Sequence, residues 1–184
     1  TGFAYSSLTD CGNTGDISVR SLKKTLNLGG VTGSMTGFEI TSCRNEGAVS
    51  VDMLDPTYKD HSYTLNMGGI CGATDEYVYY SDNSGDLSVR NGWRAKDGPY
   101  YRVGGICGYV SAAVYYYGEK RRYMENSGNI DIDTGTNVRA GGIEGTGAGG
   151  RLWYTRNSGD INVKAGYTAC YVGGLRGYAD GQIQ

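Results

Sequence analysis

The sequence predicts an all-β fold, a β-solenoid of the parallel β-helix type with about five coils of roughly three short strands each. Three observations carry this prediction. The phrase Asn-x-Gly-(Asp/Asn/Ala)-apolar-polar-apolar occurs five times, and a second phrase, apolar-Gly-Gly-apolar-x-Gly, alternates with it. After each Asn-x-Gly, apolar and polar residues alternate strictly, which is the pattern of a strand with one face inward and one face in water.

The first phrase supplies one strand in every repeat. It begins at Asn13, Asn45, Asn83, Asn126 and Asn157, and these starts are 32, 38, 43 and 31 residues apart. Its two apolar positions are predicted to face the interior: Ile17/Val19, Val49/Val51, Leu87/Val89, Ile130/Ile132 and Ile161/Val163. Equivalent positions of successive coils should then stack one strand spacing apart, about 4.8 Å.

The corner before this strand contains Asn and Gly for conformational reasons. The Gly two residues after each Asn is expected to adopt φ > 0, and the Asn itself can visit the left-handed region. These glycines are Gly15, Gly47, Gly85, Gly128 and Gly159. The stacked Asn side chains either form an amide ladder or make local Asx-turns with their own backbone.

The second phrase predicts another strand, and a third apolar position predicts one more. The second strand is centred on Val31, Ile70, Ile106, Ile143 and Leu175. Its glycines Gly30, Gly69, Gly105, Gly142 and Gly174 are expected where backbones approach closely or turn sharply. The third strand contains Leu8, Ile40, Val78 and Leu152, five residues before four of the Asn positions. A closed ring of five blades, a small β-propeller, is the alternative, although the shortest unit is short for a four-stranded blade.

Composition restricts the class of protein. The chain has 32 Gly, 2 Pro and 17 Tyr and a formal net charge of −2, so it offers no electrostatic case for nucleic acid or for an anionic membrane. No apolar run approaches the roughly 18 residues that span a bilayer, so we expect no membrane insertion.

We expect residues 1–184 to form a single solenoid domain and a fragment of a longer protein, because Gly2 to Tyr5 matches Gly177 to Asp180 in repeat phase. Flanking repeats or domains would cover its open ends.

The second phrase resembles a known repeat family. Its cores read Gly-Val-Thr-Gly (30–33), Gly-Ile-Cys-Gly (69–72 and 105–108), Gly-Ile-Glu-Gly (142–145) and Gly-Leu-Arg-Gly (174–177). These are similar to the GLUG repeat of bacterial surface proteins and of the non-catalytic regions of IgA-cleaving metalloproteases, and the resemblance covers the whole chain. It implies an extracellular, cell-surface or secreted bacterial protein, and it carries no catalytic residues.

Two insertions in consecutive repeats, within residues 52–66 and 90–102, offer a candidate ligand site. They should be neighbours at one corner of the solenoid, and insertions on one side commonly mark a binding face. The candidate ligand-binding residues are Tyr58, His61, Tyr63, Trp93, Tyr100 and Tyr101, with Asp52, Asp55, Asp60 and Asp97 nearby. They could stack on sugar rings or anchor a protein, or they could simply shield adjacent coils.

A third insertion, between Gly108 and Asn126, contains aromatic and basic residues. It includes Tyr115–Tyr117 and Lys120–Arg122. A basic, Tyr-rich loop could meet an acidic glycan, but without a wider basic field a solvated charge cluster is the more ordinary interpretation.

The five cysteines fall into two repeat-matched pairs and one single residue. Cys11 and Cys43 share a small-residue position expected to be partly buried, where we favour reduced thiols. Cys71 and Cys107 share a position whose other occupants, Thr32, Glu144 and Arg176, suggest an outward face; a disulfide and free thiols both remain open there. Cys170 has no matched partner.

No cofactor or metal is expected. His61 is the single His, the sequence has no Cys-x-x-Cys, and Asp does not recur in adjacent coils as a calcium ladder would need. There is also no recognisable nucleophile and base arrangement, so we predict that the chain is not an enzyme.

Three functional hypotheses follow in order of preference. The first is a non-catalytic structural and adhesive segment that presents Tyr-rich loops to a host or microbial glycan or surface protein. The second is a carbohydrate-binding module that uses the insertions at 52–66 and 90–102. The third is a polysaccharide-degrading enzyme with Asp52, Asp55, Asp60 and Asp97 as candidate acids, although nothing in their spacing fixes a catalytic pair.

Overall fold

Short parallel strands form every sheet that the structure describes, and equivalent strands stack along one axis. The structure is a computed structural model, and it describes residues 2–21, 25–53, 64–94, 100–111, 123–135, 137–147, 152–166 and 169–179, without the side chains of 92–94. Within these residues there are 24 strands in five sheets, which we call sheets I to V. None of these residues lies in a helix long and apolar enough to cross a membrane.

Each sheet takes one strand from successive coils. Sheet I contains β1 (Phe3–Ala4), β6 (Thr32–Met35), β11 (Cys71–Thr74), β16 (Cys107–Val110), β20 (Glu144–Gly147) and β24 (Arg176–Ala179). Sheet II contains β2 (Leu8–Thr9), β7 (Ile40–Thr41) and β12 (Val78–Tyr79). Sheet III contains β3 (Gly12–Asn13), β8 (Arg44–Asn45), β13 (Ser81–Asn83), β17 (Met124–Asn126) and β21 (Thr155–Asn157).

The two remaining sheets hold the longest strands. Sheet IV contains β4 (Ile17–Ser21), β9 (Val49–Met53), β14 (Leu87–Arg94), β18 (Ile130–Gly135) and β22 (Ile161–Lys164). Sheet V contains β5 (Thr25–Gly29), β10 (Thr64–Gly68), β15 (Tyr100–Gly104), β19 (Asn137–Gly141) and β23 (Cys170–Gly173). We number the coils 1 to 5 from the sheet III strand that each contains.

The register confirms the predicted β-solenoid. Val49 pairs with Ile17 on one side and Leu87 on the other, and Ile130 continues the column to Ile161. All described pairings are parallel and join equivalent strands of consecutive coils. A propeller would instead pair antiparallel strands within one repeat, so that alternative is wrong.

A coil contains more strands than the predicted three, because the second phrase forms a corner and not a strand centre. Val31, Ile70 and Ile106 lie between the sheet V strand and the sheet I strand of their coil. Inter-coil hydrogen bonds continue through this corner, as from Ile70 N–H to the Ile106 carbonyl at 3.0 Å. The Asn residues add the short strands of sheet III, so coils 1 to 3 have five strands each.

The interior consists of two apolar cores. The larger core lies between sheets IV and V, and it includes Val49, Leu87, Leu65, Tyr101 and Val103. The smaller core lies inside sheets I, II and III, and it includes Met35, Ile40, Ile70 and Ile106. The predicted inward pairs of sheet IV occupy the first core, and the pairs of coils 2 to 4 are fully buried. Burying these aliphatic side chains supplies the main driving force for folding.

An unbroken asparagine ladder runs along sheet III. Each side-chain Nδ2 donates to the Oδ1 of the next Asn at 2.7–2.8 Å, through Asn13, Asn45, Asn83, Asn126 and Asn157. The same Nδ2 also donates to the carbonyl of the Gly two residues later, at 2.7–2.9 Å. The predicted amide ladder is therefore present, and each Asn also bonds its own backbone locally, since one amide has two N–H groups.

The two sequence phrases meet across this ladder. A Cβ placed on Gly30 would lie 2.3 Å from the side chain of Asn45, and one on Gly69 would lie 2.2 Å from that of Asn83. Gly105 and Gly142 make the same approach to the Asn of the following coil. The glycine of one phrase thus leaves the space that the amide of the other phrase occupies, and this contact explains why the phrases alternate.

The left-handed backbone positions are not where the sequence placed them. In the described residues φ is positive at Gly37 (75°) and at Asp10, Ser42, Tyr80 and Tyr154 (50–56°), the latter four each three residues before a ladder Asn. Gly15, Gly47 and Gly85 and the ladder Asn residues do not have this conformation, so that prediction was wrong. Close packing requires glycine at Gly47 and Gly85 instead, because a Cβ there would lie 2.1 Å and 2.0 Å from the carbonyl oxygen of the equivalent glycine in the preceding coil.

Candidate binding surfaces

The predicted ligand-binding residues divide into three groups. Tyr58, His61 and Tyr63 lie outside the described residues, and so do Asp55, Asp60, Asp97, Tyr115–Tyr117 and Lys120–Arg122. Trp93 lies in β14, with its side chain outside the description. Asp52 is exposed on the outer face of sheet IV. Of the six predicted residues, the structure describes the side-chain contacts of Tyr100 and Tyr101.

Tyr100 and Tyr101 point to opposite sides of β15. Tyr101 is 1% exposed, belongs to the core between sheets IV and V, and its hydroxyl accepts a hydrogen bond from Asn91 Nδ2 at 2.9 Å. The expectation that Tyr101 faces a ligand therefore does not agree with its position, because strand alternation places the residue beside Tyr100 inside. Tyr100 is half-buried on the outer face of sheet V.

Tyr100 contributes to a cluster of tyrosines around an arginine. The guanidinium carbon of Arg139 lies 4.0 Å from the centroid of the Tyr100 ring and 3.7 Å from that of Tyr178. Tyr171 lies farther away, at 6.0 Å, and packs edge-on against Tyr178 with 5.2 Å between centroids. We call Tyr100, Arg139, Tyr171 and Tyr178 the arginine cage. Its three rings come from coils 3 and 5, on either side of coil 4, which supplies the arginine.

The offset between sheets V and I assembles the cage. A Cβ on Gly177 would lie 2.6 Å from the backbone of Ala140, and one on Gly145 would lie 2.5 Å from the backbone of Val103. Sheet I of one coil therefore packs against sheet V of the coil before it. This offset brings Tyr178 of coil 5 beside Arg139 of coil 4. The sequence alone contains no signal for that offset.

A second candidate surface is a column of stacked tyrosines at the corner between sheets II and III. Tyr123 stacks between Tyr80 and Tyr154, with ring centroids 5.9 and 5.3 Å apart and interplanar angles of 26°. The three side chains are 48%, 45% and 60% exposed for Tyr80, Tyr123 and Tyr154. We call them the tyrosine column. Each lies three residues before a ladder Asn, and this shared repeat position is the signal that the sequence analysis missed.

Two of the three tyrosines have an unusual backbone conformation. Tyr80 and Tyr154 have φ of 50° and 53°, in the left-handed region, and each directly precedes a short strand of sheet III. Asp10 and Ser42 occupy the same position in coils 1 and 2 with φ of 54° and 56°. Small polar residues adopt this conformation more readily than aromatic ones, so the tyrosines are not there for backbone preference.

The outer face of sheet IV is polar, and its charges are matched within the face. Lys164 Nζ lies 3.2 Å from Asp133 Oδ2, and Asn162 Nδ2 donates to Asp131 Oδ1 at 3.0 Å. These residues border a shallow depression of about 810 Å³ together with Arg90. Since exposed ion pairs of this kind contribute little free energy, we interpret the face as a solvated surface.

The structure corrects the orientation predicted for Cys71 and Cys107. Both are buried, at 0% and 1% exposed, and both are free thiols although their Cα atoms are register partners. Burial raises the pKa of Cys71 to about 12 and raises that of Cys107 well above its ordinary value. Cys11 is half-buried and Cys43 buried, as predicted for their position, and Cys170 is exposed; all three are also free.

The charged residues that suggested an outward face are themselves inside. Glu144 and Arg176 continue the cysteine column, and Arg176 contacts Glu144 Oε2 through Nη2 at 2.7 Å and through Nε at 2.8 Å. Their side chains are only 9% and 16% exposed. Opposite charges at one repeat position in adjacent coils neutralise each other, so polar occupants were a misleading sign of exposure.

Among the described residues, no three His, Cys, Asp or Glu side chains gather closely enough to hold a metal ion. Comparison with known proteins adds no assignment to these surfaces. No family model, no curated protein and no solved structure matches the chain.

Proposed function

We propose that this chain is a non-catalytic structural and adhesive segment of a secreted or cell-surface bacterial protein. The tyrosine column carries the proposal. Three large aromatic side chains are exposed in register at a position that small polar residues fill in the two preceding coils. An exposed aromatic cluster is uncommon on a protein that makes no contacts, and Tyr is enriched where proteins bind one another.

The scaffold beneath the column suits a display role. The asparagine ladder lies one short strand away and links all five coils, through amides that are buried in coils 2 to 4. Each coil is hydrogen-bonded to its neighbours through parallel strands of several sheets. Such a framework keeps the spacing of surface groups fixed, which limits the entropy lost when a partner binds.

The central ring of the column offers its partner an edge and not a face. The two faces of the Tyr123 ring are largely covered by Tyr80 and Tyr154, so a sugar cannot stack on it. What remains accessible is a continuous aromatic ridge with several hydroxyl groups, which can both pack and hydrogen-bond. This shape favours a partner protein surface over a single pyranose ring at this position.

The test is adhesion of beads coated with the protein to mucin-coated and bacterium-coated surfaces. The variant is the triple substitution Tyr80→Ser, Tyr123→Ser and Tyr154→Ser, because Ser42 shows that this position accepts serine with positive φ. We expect at least a tenfold loss of adhering beads on the surface that the parent binds. The matched control is Tyr5→Ser, which removes a tyrosine that is 78% exposed but lies outside the column. No adhesion by the parent, or equal adhesion by the triple variant, would refute the proposal.

The carbohydrate-binding function remains the second candidate, and one observation favours it. Tyr100, one of the residues predicted to bind a ligand, is part of the arginine cage and not of the core. An arginine between aromatic rings is an arrangement suited to a charged sugar. Hydrolysis of a polysaccharide by the purified chain would contradict both candidates.

A further inference from the structure

Arg139 is a half-buried cation whose hydrogen-bond donors lack acceptors among the described residues. Its Nε atom is buried and unpaired, and its recorded contacts are with aromatic rings. Tyr100 and Tyr178 pack against the guanidinium, with their ring centroids 4.0 and 3.7 Å from its carbon. The N–H groups of a guanidinium lie in its plane, so an acceptor approaches them along its edge.

The preceding arginine of the same column differs from Arg139 because its guanidinium donates a hydrogen bond to an amide side chain. Arg102 is the register partner of Arg139, and it lies over the Tyr109 ring at 4.5 Å. It also donates from Nη1 to Asn66 Oδ1 at 3.1 Å, and Asn66 donates in turn to Asn27. Arg102 therefore ends a polar chain inside the protein. Arg139 lies one coil farther on, and its register partner in the preceding coil is an arginine and not an amide.

Among the described residues, no acidic side chain forms an ion pair with Arg139. The residues in register with Arg139 and Tyr178 along sheets V and I are Arg102, Tyr171, Thr146 and Tyr109. The nearest carboxylate in the strand of Thr146 is Glu144, which is buried and paired with Arg176. Thr146 Oγ1 is also buried without a partner in the described residues. The cage is thus a local positive charge with unused polar groups in a chain whose net charge is −2.

We propose that the arginine cage binds the carboxylate of a hexuronate unit in an acidic polysaccharide. The planar guanidinium edge matches a carboxylate with two parallel hydrogen bonds, a geometry that a lysine ammonium does not provide. The two tyrosine rings hold the guanidinium in place, so little side-chain entropy is lost on binding.

The position of Tyr171 favours the carboxylate of a sugar over the carboxylate of an amino acid side chain. It is 42% exposed and lies 6.0 Å from the guanidinium carbon, and its edge contact with Tyr178 fixes its orientation. The carboxylate of a hexuronate is attached directly to the pyranose ring. When the carboxylate meets Arg139, the ring is held within a few ångströms of Tyr171, where its C–H face can pack on the aromatic surface. A flexible Asp or Glu side chain presents no such ring.

The test is calorimetric titration of the full chain with a linear tetramer of galacturonic acid and with its fully methyl-esterified form. We expect the acid to bind at least tenfold more tightly than the ester, with the difference reduced at high salt. Arg139→Gln should abolish this difference, and Arg139→Lys should lose most of it because the planar fork is gone. The matched control, Arg102→Gln, should keep it. Equal binding of acid and ester by the parent, or an unchanged ratio in Arg139→Gln, would overturn the proposal.

Two further arms keep the test decisive. Tyr171→Ala removes an exposed ring of the last described strand of sheet V, and it should weaken both acid and ester at least threefold, so it tests the sugar contact even if Arg139→Gln does not fold. A tetramer of glutamic acid should bind at least tenfold more weakly than the galacturonate tetramer. Equal binding of the peptide, or no effect of Tyr171→Ala, would overturn the assignment to a sugar.

This inference deepens the proposed adhesive function. It rests on that function only because it assigns a ligand to a segment that presents binding groups. The two can fail separately. Adhesion is measured with variants of the tyrosine column, whereas the titration uses soluble sugars and variants of the arginine cage at a different corner of the coil. If the adhesion test fails, the proposal for the arginine cage still stands. If the titration fails, the proposal for the tyrosine column still stands.

Discussion

The side-chain amide of Asn83 donates to the side-chain carbonyl of Asn126 at 2.7 Å and to the backbone carbonyl of Gly85 at 2.8 Å. Its own Oδ1 accepts from Asn45 at 2.8 Å. Asn83 is 1% exposed, so all three hydrogen bonds lie out of water. A single polar side chain thereby joins three coils inside a largely aliphatic interior.

Removing this amide should destabilise the centre of the solenoid. Asn83→Ala deletes three hydrogen bonds and leaves buried polar groups unsatisfied, at about 1 kcal/mol or more for each bond. We expect a loss of about 3 kcal/mol, measured as the shift in urea midpoint. Asn13→Ala is the matched control at the half-buried first position, and it should lose about 1 kcal/mol. Equal losses at the two positions would contradict the greater contribution expected from the buried amide.

The glycines beside the ladder should differ sharply in their tolerance of a methyl group. Gly85→Ala places a Cβ 2.0 Å from the Gly47 carbonyl oxygen, a contact that backbone atoms must move to relieve. Gly15→Ala occupies the equivalent position, but its nearest neighbour is Asn13 Oδ1 at 3.9 Å. We expect a lower melting temperature by at least 10 °C for Gly85→Ala and a change within 2 °C for Gly15→Ala, on the scale of about 2–8 °C per kcal/mol. Similar melting temperatures would contradict the close approach.

The thiols should react in the order of their exposure. Cys170 is exposed, whereas Cys71 and Cys107 are buried with raised pKa values, and the thiolate is the nucleophile. With an aromatic disulfide reagent at pH 8, we expect Cys170 to be modified in the folded protein and Cys71 and Cys107 only after unfolding. The check is mass spectrometry of modified peptides before and after urea. Rapid modification of Cys71 in the folded protein would show that its position is open to solvent.

Alkaline pH should destabilise the fold through Cys71. Desolvation is the main cause of its raised pKa, and hydrogen bonds to Ala73 and Met35 backbone groups oppose it only partly. An unfolded thiol ionises near its ordinary value of 9.0, whereas the folded one holds its proton to about 12. Between these values the unfolded chain binds fewer protons, so stability falls as pH rises. Urea midpoints at pH 8 and 10.5 should fall less in Cys71→Ala than in the parent, and an equal fall would contradict this.

A charge on the inner face of sheet IV should disrupt the solenoid locally. Val49 is fully buried between Ile17 and Leu87, so Val49→Asp places a carboxylate without a partner in the larger core. We expect loss of hydrogen-exchange protection in coils 1 to 3 and a lower melting temperature. Ser50→Asp puts the same charge on the adjacent outward position and should change stability by less than about 0.5 kcal/mol. If the two variants melt alike, the assignment of inward positions is wrong.

The sequence predicted those parts of the fold that follow from side-chain period. Alternation after each Asn identified the inward residues of sheet IV, and equal phrases identified the register between coils. It did not predict that Val31 and Ile70 form a corner, since apolar residues are buried equally well in a strand or at a bend between strands. Nor did it predict where φ is positive, because steric crowding and left-handed geometry both select glycine.

Less of the candidate site could be predicted from the sequence. Tyr100 was identified from its insertion, but its partners Arg139 and Tyr178 are distant in the chain, and they meet only because sheet I is offset by one coil against sheet V. Cys71 and Cys107 were assigned to the outside from neighbours in their column, although Glu144 and Arg176 are paired within it. Pairing of opposite charges is a tertiary event that a single repeat does not reveal.

The register of the coils has a consequence for how such a chain can change in length. Each coil donates to the next and accepts from the one before through the same positions, as the stacked pairs Asn45–Asn83 and Val49–Leu87 show. A whole unit inserted or deleted in phase would leave every rung with a suitable partner. Gene duplication and recombination can therefore lengthen or shorten the rod in steps of one coil, and the chemistry of the outer corners can diverge independently of the framework.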